Sequence, residues 1–478
     1  MQAAIIRNIF KNTLSLLFGG IISQLLAFIA TIYLARILGP TDFGKINFAL
    51  AIVLYFSLFS NWGLSIYGTR GVAREQYMAR YYVGDILFLR TVFSVLSFSA
   101  LLLLAFFLNK PIDIKFLVII YGLGIFPSSL FLDWLFQGVQ KMKNIAFARI
   151  LNSLVYLCLI LFFIKSSSQL LFIPWFYVIG SLFASLILFL IFIYKFGMPK
   201  WKFDPSSWKR IIRKAFPMGL SLIMIQIYYN MDIVMLGFMK GESEVGFYSA
   251  AYKIILFILM IGGAYHDSVF PVISSFFKES LEDFKKLQEK TLKLMALIAL
   301  PLIVGGMILA VPILTFVYDA SYFVSVGIFQ ILIWVVFFIF FNTTYSRGLL
   351  TCNKENGYLL GVAFAAFMNL LLNFILIPFW GAKGAAIATV FSEFFALIVF
   401  YVEFNKVCKL KFINYLFIPV ISCLIMGIFL WFGLNIFNLN LFILIFLGTI
   451  VYFLAVFLLK GITLDEVRSF RDMMILKK

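Results

Sequence analysis

The sequence predicts an all-α polytopic membrane protein, and three observations lead to this fold class. Hydrophobic residues make up 63% of the 478 residues and charged residues only 13%, whereas soluble domains are about 45–50% apolar and about 25% charged. Long, mostly apolar runs such as 114–135 and 441–459 exceed the roughly 18 residues that mark a spanning helix. The roughly 10-residue alternation of a membrane β-barrel is missing. Because backbone groups find no partner in hydrocarbon, these runs must be helices.

Polar residues, glycine and proline divide the chain into about 14 apolar runs. The first run is too long for a signal-peptide core of about 7–15 residues, so it predicts a retained first helix. The predicted spans are residues 12–36, 43–68, 82–108, 115–138, 145–164, 170–194, 214–239, 245–275, 290–317, 323–348, 357–378, 384–404, 413–436 and 440–459.

The positive charge predicts the orientation of these helices. Loops on the cytoplasmic side of a membrane collect Lys and Arg. A cytoplasmic N-terminus places 30 of the 39 Lys and Arg residues on that side. We therefore expect a multi-pass protein of the bacterial inner membrane with both termini in the cytoplasm. The formal charge of +18 then reflects the basic residues of the cytoplasmic loops. Membrane lipids are expected partners, and nucleic acid is not.

An internal repeat predicts two pseudo-symmetric six-helix lobes followed by two C-terminal helices. Leu38-Gly39 and Asp42-Phe43-Gly44 recur as Leu236-Gly237 and Glu244-Val245-Gly246. An even number of predicted spans separates the two copies, so an axis along the membrane normal relates them. The predicted domains are an N-lobe at 1–200, a C-lobe at 201–406 that begins with a basic cytoplasmic linker, and a C-terminal pair of helices with a cytoplasmic tail at 407–478.

Four sequence blocks resemble the polysaccharide flippases of O-antigen (Wzx) type in the multidrug/oligosaccharidyl-lipid/polysaccharide exporter superfamily. They are residues 33–44, 133–138, 230–248 and 377–389. The resemblance implies a transporter that moves undecaprenyl-pyrophosphate-linked oligosaccharide between leaflets without a cofactor. It also implies a central cavity lined mainly by helices 1, 2, 7 and 8, and functional links to a polysaccharide polymerase and its chain-length machinery.

Five charged residues are candidates for binding this cargo. Arg70 and Arg74, one turn apart at the predicted cytoplasmic end of helix 2, and Arg36, at the outer end of helix 1, suit pyrophosphate because a guanidinium binds oxygens bidentately. Arginines at helix ends also snorkel to the membrane surface, which is the alternative. Asp232 and Lys253 lie inside helices 7 and 8, where an ion is costly enough to indicate function.

Other ionisable residues inside the spans suggest coupling or structure. His266, Asp267 and Glu393 are candidates for ion or proton coupling, because imidazole titrates near neutrality and a buried carboxyl can. A polar contact between helices is the alternative. Arg90 and Asp133 stand at comparable predicted depths, so we expect them to form a structural ion pair.

No metal site is expected, because the cysteines lie in or beside apolar runs without metal-ligand spacing. We interpret them as packing residues. They are Cys158, Cys352, Cys408 and Cys423.

Three other functions remain open at this point. A lipid II flippase and a multidrug or cation antiporter share the architecture that the resemblance implies. A membrane glycosyltransferase or polysaccharide polymerase is disfavoured, because the predicted outer loops are short and the chain contains 1 His.

Overall fold

The computed structural model describes residues 2–201, 204–411 and 415–461, and within these ranges the chain contains helices, turns and bends but no strand. Eleven segments of the described chain are long and apolar enough to cross a membrane, so the all-α membrane fold class is confirmed. The cytoplasmic tail predicted after residue 461 and the side chains of the first residues lie outside the described part. The α-helices are α1 (Gln2–Asn61), α2 (Leu64–Arg74), α3 (Ala79–Phe107), α4 (Ile112–Leu123), α5 (Ile125–Leu130), α6 (Asp133–Gly138), α7 (Met142–Phe163), α8 (Phe172–Phe196), α9 (Pro205–Met239), α10 (Glu242–Glu279), α11 (Leu281–Ile308), α12 (Ala310–Val317), α13 (Ser325–Leu332), α14 (Val335–Thr351), α15 (Glu355–Asn405), α16 (Phe417–Asn435) and α17 (Leu441–Leu458).

Two of the long segments each contain two helices joined at a glycine. The apolar parts of α1 and α15 comprise 47 and 51 residues, and 47 helical residues extend about 70 Å, more than twice the roughly 30 Å of hydrocarbon. Gly39 interrupts α1 with φ 70° and ψ 174°, and Gly381 interrupts α15 with φ 54° and ψ −131°. Glycine adopts a positive φ without a Cβ clash, and Pro40 lacks the N–H that would continue the helix. The count of 14 spans stays a prediction.

The chain divides into two compact units. Unit 1 contains the chain up to Ala250 together with Asn373–Ala385, and unit 2 contains Ala251–Leu372 and the chain from Ala386 onward. Within unit 1, Trp134, Phe136 and Phe192 belong to one apolar core, and within unit 2 a second core joins α11, α16 and α17. The division predicted at residues 200 and 406 follows the repeat and stays a prediction.

A broken membrane segment shapes the interior of unit 1. Residues 112–138 form one apolar segment, but α4, α5 and α6 divide it at Gly124 and at the extended residue Phe131. A broken helix frees backbone carbonyls that need other donors away from water. The break therefore creates acceptors in the middle of an apolar unit, and polar side chains from neighbouring helices reach them.

Candidate functional site

The two copies of the repeat contact each other inside unit 1, at segments 39–44 and 240–246, which we call the paired turns. A Cβ on Gly44 would lie 1.8 Å from the carbonyl oxygen of Glu242, and a Cβ on Gly246 would lie 1.9 Å from that of Pro40. In the repeat Gly44 aligns with Gly246, and the same spacing aligns Pro40 with Glu242. The contact is therefore reciprocal, as at an interface on a two-fold axis. Only glycine allows the two backbones to approach this closely.

Polar groups complete the contact between the paired turns. Thr41 aligns with Ser243 at the same spacing, and their hydroxyl oxygens are 2.9 Å apart. The pseudo-two-fold axis thus passes between two equivalent hydroxyls. The Nζ of Lys110 donates a hydrogen bond to the carbonyl oxygen of Gly237 at 2.6 Å and lies 2.8 Å from Oε1 of Glu242. This ion pair is mostly shielded, since the two side chains are 13% and 18% exposed.

Three further carboxylate contacts hold the same end of unit 1. Oε2 of Glu244 accepts a hydrogen bond from the backbone N–H of Ala382 at 2.6 Å. That N–H begins the second half of α15, where a helix N-terminus favours negative charge. Lys45 bridges Asp42 and Asp113, with Nζ–O distances of 2.8 and 2.7 Å. These contacts fix the paired turns to neighbouring segments of unit 1.

Asp232 is buried and hydrogen-bonded within unit 1. Its side chain is 2% exposed. The hydroxyl of Tyr248 donates to Oδ2 at 2.6 Å, and the amide Nδ2 of Asn373 donates to Oδ1. Neutral donors therefore hold this carboxyl, as a buried acid requires. Lys253 belongs to unit 2, and the hypothesis that it acts together with Asp232 stays a prediction.

The candidate cations differ in their surroundings. Lys253 is half-buried in α10 and has neither a hydrogen bond nor an ion pair within the described chain. Arg70 and Arg74 are exposed at the end of α2 and likewise lack an ion pair among the described residues. Arg36 is also exposed. An unpaired ammonium in a membrane helix is costly, so Lys253 is available to an anionic ligand in a way that a paired lysine is not.

His266 joins α10 to α14 inside unit 2. Its side chain is 2% exposed. Nδ1 lies 2.8 Å from the carbonyl oxygen of Gly262, and Nε2 lies 2.8 Å from Oγ1 of Thr344. The Thr344 hydroxyl is also 3.0 Å from the carbonyl oxygen of Phe340. In the neutral ring, Nδ1 can donate to the carbonyl of Gly262 while Nε2 accepts from the Thr344 hydroxyl. In the imidazolium, both nitrogens can donate, and the Thr344 hydroxyl then donates to the carbonyl of Phe340. The contact accommodates both protonation states.

Two more polar contacts lie along α14. Together with the contact between His266 and Thr344 they form a row that we call the α14 row. Nη2 of Arg347 lies 2.6 Å from Oδ1 of Asp267. At the other end, Nδ2 of Asn342 donates to Oε2 of Glu393 at 2.7 Å and to the backbone carbonyl of Glu393 at 3.0 Å. Glu393 is 4% exposed. All three candidates for ion coupling therefore contact one helix of unit 2.

A polar cavity of about 380 Å³ lies in the interior of unit 1 and contains Arg90 and Asp133 in its wall. Nη1 of Arg90 donates to the carbonyl oxygen of Phe131 at 3.2 Å, and Nη2 donates to that of Ser128 at 2.8 Å. The ion pair of Asp133 is with Arg149, at 3.7 Å between Oδ2 and Nη2. Arg90 and Asp133 form no direct salt bridge among the described residues, because the carbonyls freed by the broken segment take both Nη groups, but the Asp133 carboxylate still acts on Arg90 through space.

A polar stripe that was not predicted from the sequence lines this cavity. Ser57, Asn61, Ser65 and Thr69 occur at every fourth position and all contribute to the cavity wall. Residues at i and i+4 share one face of a helix, so this spacing in an apolar run is a signal that the sequence contains. None of the four side chains is charged, so the stripe does not stand out among the ionisable residues of the spans.

Unit 2 contains a separate apolar cavity of about 350 Å³ between α10, α11, α12, α13, α16 and α17. Pro301, Gly305 and Gly448 line it, together with Met426 and Tyr452. Within the described residues, no group of three or more His, Cys, Asp or Glu side chains could hold a metal ion. The four cysteines are free thiols; Cys158 is half-buried, and the buried ones are Cys352, Cys408 and Cys423.

Comparison with known proteins identifies the family. Residues 9–277 match the family described as "Polysaccharide biosynthesis protein", which is more than half of the chain. The chain belongs to this family. This member is 26% identical to the "Putative O-antigen transporter" of Escherichia coli (strain K12), over 78% of this chain and 92% of that relative. The family resemblance of the four sequence blocks is confirmed.

Solved structures show the same fold. The lipid II flippase MurJ in an inward closed conformation aligns with a TM-score of 0.74 and 16% identity, over 92% of this chain and 97% of that one. An inward-facing multidrug resistance transporter of the MATE family aligns with a TM-score of 0.66 and 16% identity, over 81% of this chain and 96% of that one. This family member therefore has the fold of a solved transporter of the MOP superfamily. At these identities the likeness concerns the fold alone.

Proposed function

We propose that the chain is a flippase that carries undecaprenyl-pyrophosphate-linked oligosaccharide, an O-antigen or other surface polysaccharide unit, from the cytoplasmic to the outer leaflet of the bacterial inner membrane. Both termini then lie in the cytoplasm, in agreement with the distribution of Lys and Arg. The protein supplies a polar path for the charged and sugar parts of the cargo, while no covalent step is needed. Family membership and the relative named as an O-antigen transporter support this cargo class.

The observation that carries the proposal is the reciprocal contact of the paired turns. In the predicted orientation these turns lie at the outer ends of helices 1, 2, 7 and 8, so their contact closes the outer end of unit 1. Glycine backbones, one hydroxyl pair and one ion pair form this closure. A contact of this kind can separate and re-form, as alternating access requires.

Unpaired cations suit the pyrophosphate. Arg70 and Arg74 are exposed on the predicted cytoplasmic side, where they can capture the anion, and Lys253 offers a second positive charge in α10. If they bind phosphate, Arg70→Ala and Arg74→Ala abolish export at unchanged protein levels while the Lys variants retain part of it. Lys290→Ala, at an exposed cytoplasmic lysine, serves as the control. Full activity of both Ala variants would assign the arginines to snorkelling.

The apolar cavity of unit 2 suits the polyprenyl chain. Its lining is almost wholly apolar, and glycines of two helices, Gly305 and Gly306 of α11 and Gly448 of α17, contribute to it. Because lipid tails are as apolar as this lining, the polyprenyl chain can move from the bilayer into the cavity without a desolvation cost. The chain therefore has a dry surface to follow while the headgroup passes through polar surroundings.

The α14 row suits a proton-coupled step. His266, Asp267 and Glu393 each bond to a side chain of α14, so a change in protonation at any of them alters how α10 or α15 holds α14. The bonds of His266 accommodate imidazole and imidazolium alike. We propose that proton binding in this row biases the conformation of unit 2.

A deletion strain tests the cargo assignment. Loss of the protein should leave lipid-linked oligosaccharide on the cytoplasmic leaflet, with surface polymer restored by the wild-type gene. Normal surface polymer in the deletion strain would refute the proposal. We expect the polysaccharide polymerase and its chain-length machinery to use the exported unit, so polymer length in the complemented strain should be normal.

Purified protein in proteoliposomes separates the remaining functions. A flippase for oligosaccharide units moves undecaprenyl-pyrophosphate oligosaccharide and leaves lipid II and cationic dyes behind, with a proton gradient changing the rate. Movement of lipid II alone would indicate a lipid II flippase, as the structural neighbour MurJ is named. Dye transport alone would favour a multidrug antiporter, and release of sugar or polymer from the lipid carrier would indicate a membrane glycosyltransferase or polymerase.

A further inference from the structure

Two helices contribute residues to both compact units. The residues of α10 up to Ala250 belong to unit 1, and those from Ala251 onward belong to unit 2. In α15, residues 373–385 belong to unit 1, and the parts before and after them belong to unit 2. Because a helix is a stiff element, a displacement at one of its ends is carried along it. These two helices therefore give the paired turns and unit 2 a means to act on each other.

One carboxylate joins these two helices inside unit 1. Glu244 is a residue of α10 within the paired turns, and its Oε2 accepts a hydrogen bond from the N–H of Ala382 at 2.6 Å. Ala382 is 1% exposed and follows Gly381, the residue at which α15 breaks. A Cβ on Gly381 would lie 2.5 Å from the same carboxylate oxygen, so glycine is what allows the contact. A hydrogen bond to an ionised acceptor is stronger than one between neutral groups, and this one holds the paired turns to the second half of α15.

The internal repeat sets Glu244 apart from its equivalent in the first copy. Glu244 aligns with Asp42, and Phe247 aligns with Lys45. In the first copy, Nζ of Lys45 lies 2.8 Å from Oδ1 of Asp42 and balances its charge. In the second copy the position of the lysine is apolar, and Glu244 forms no ion pair within the described residues. Its carboxylate is therefore left to bind the backbone of α15.

In unit 2 the same two helices each contact α14. His266 of α10 bonds to Thr344, with 2.8 Å between Nε2 and Oγ1. Glu393 of α15 accepts a hydrogen bond from Asn342 at 2.7 Å. These four side chains are between 1% and 6% exposed, so water does not readily replace their bonds. The two helices are therefore joined directly in unit 1, by Glu244, and through α14 in unit 2.

We propose that Glu244 is a positioning residue that couples the paired turns to the α14 row. Its bond to Ala382 makes α10 and α15 move together at their unit 1 ends, so the loss of a contact in the α14 row shifts the paired turns toward the open state. The inference rests on the proposed function for the opening of the paired turns and for the role of the α14 row in transport. Asp232 also holds residues 373–385, through Asn373. Removal of the Glu244 bond should therefore uncouple the two regions without unfolding unit 1.

A double-mutant cycle in the full-length protein, reconstituted in nanodiscs, tests this inference. In a chain without the four native cysteines, Val245→Cys places a thiol at a position of the paired turns that is 0% exposed. The rate at which a membrane-impermeant maleimide labels this thiol reports the fraction of time that the turns are open. Thr344→Val removes the hydroxyl that bonds to His266 and should raise this rate about fivefold, the change expected from one lost hydrogen bond. In a Glu244→Ala background, the same substitution should change the rate less than about twofold.

Two variants control for the chemistry at position 244. Glu244→Gln keeps an oxygen that can accept from Ala382, so Thr344→Val should still raise the labelling rate about threefold or more. Glu279→Ala removes an exposed carboxylate at the far end of α10 and should leave the full response to Thr344→Val. Equal responses to Thr344→Val with Glu244 and with Glu244→Ala, or no response with Glu244 intact, overturn the proposal.

A purely structural role for Glu244 would give a different pattern. Glu244→Ala would then lower thermal stability or raise the labelling rate by itself, but its effect and that of Thr344→Val would be additive, which overturns the proposal. If Glu244→Ala does not fold, Ala382→Pro decides, because it removes the N–H donor at the first residue of a helical segment, where proline is tolerated. A full response to Thr344→Val in that background refutes the coupling. The deletion test remains separate. Oligosaccharide trapped in that strain together with additive effects would refute the coupling alone, whereas coupled effects with normal surface polymer would refute the proposed function alone.

Discussion

Adding one methyl group at the paired turns should open them. A Cβ at Gly44 or Gly246 would lie 1.8 or 1.9 Å from a backbone carbonyl oxygen, where ordinary contact begins at 3.4 Å. The two backbones would have to separate by about 1.5 Å, and such overpacking costs about 1–3 kcal/mol. This free energy shifts a conformational equilibrium about 5- to 150-fold. Gly44→Ala and Gly246→Ala should therefore deplete the closed state and impair export, although alanine favours the helices in which both residues lie.

A cross-link between the two equivalent hydroxyl positions measures the closed state. In a variant without the four native cysteines, Thr41→Cys and Ser243→Cys should form a disulfide, because their Oγ atoms are 2.9 Å apart. Adding Gly44→Ala should lower its yield severalfold. Gly20→Ala and Gly263→Ala are matched controls, since a Cβ at either position meets no atom within 4 Å. Unchanged cross-linking and export with both Gly44→Ala and Gly246→Ala would refute the proposed closure.

Three further predictions concern charged residues. Lys110→Met removes a mostly shielded ion pair and should cost the closed state ~1–3 kcal/mol, measured as lower cross-link yield, whereas Lys115→Met should leave the yield unchanged. Asp232→Ala removes the carboxylate that accepts from Tyr248 and Asn373 and should destabilise the protein by ~1–3 kcal/mol, measured by thermal unfolding in detergent. His266→Gln keeps hydrogen-bonding groups but cannot titrate, so export should lose its response to a proton gradient; an unchanged response would assign His266 to a structural contact.

The fold class could be predicted from the sequence because the hydrocarbon core of a membrane permits few backbone conformations. Apolar runs longer than a membrane is thick must be helices, and Gly39-Pro40 combines a residue that tolerates positive φ with one that lacks an N–H. The breaks within a span were less readable. Residues 115–138 were predicted as one helix, but the structure divides this segment at Gly124 and Phe131. Tertiary contacts stabilise those breaks, and periodicity does not report them.

The parts of the site that were predicted from the sequence are those marked by a charged residue or by the internal repeat. Charged residues in apolar runs located Asp232, His266 and Glu393 at buried contacts. Their partners could not be predicted, because a hydrogen bond between helices depends on rotation and depth that composition leaves open. Arg90 illustrates this limit: its Nη groups bond to carbonyls that exist as acceptors only because the neighbouring segment breaks.

The symmetry of the paired turns suggests why a closure built from a repeat is suited to transport. Because each copy presents the same glycine to the other copy, the paired turns meet backbone against backbone, and the large side chains packed beside them are Phe48 and Phe238. Its specific polar content is small, one hydroxyl pair and the ion pair of Lys110, together worth a few kcal/mol at most. A cargo that binds the open state more tightly by that amount can reverse the equilibrium. A closure packed with interlocking apolar side chains would require far more differential binding energy than one headgroup can supply.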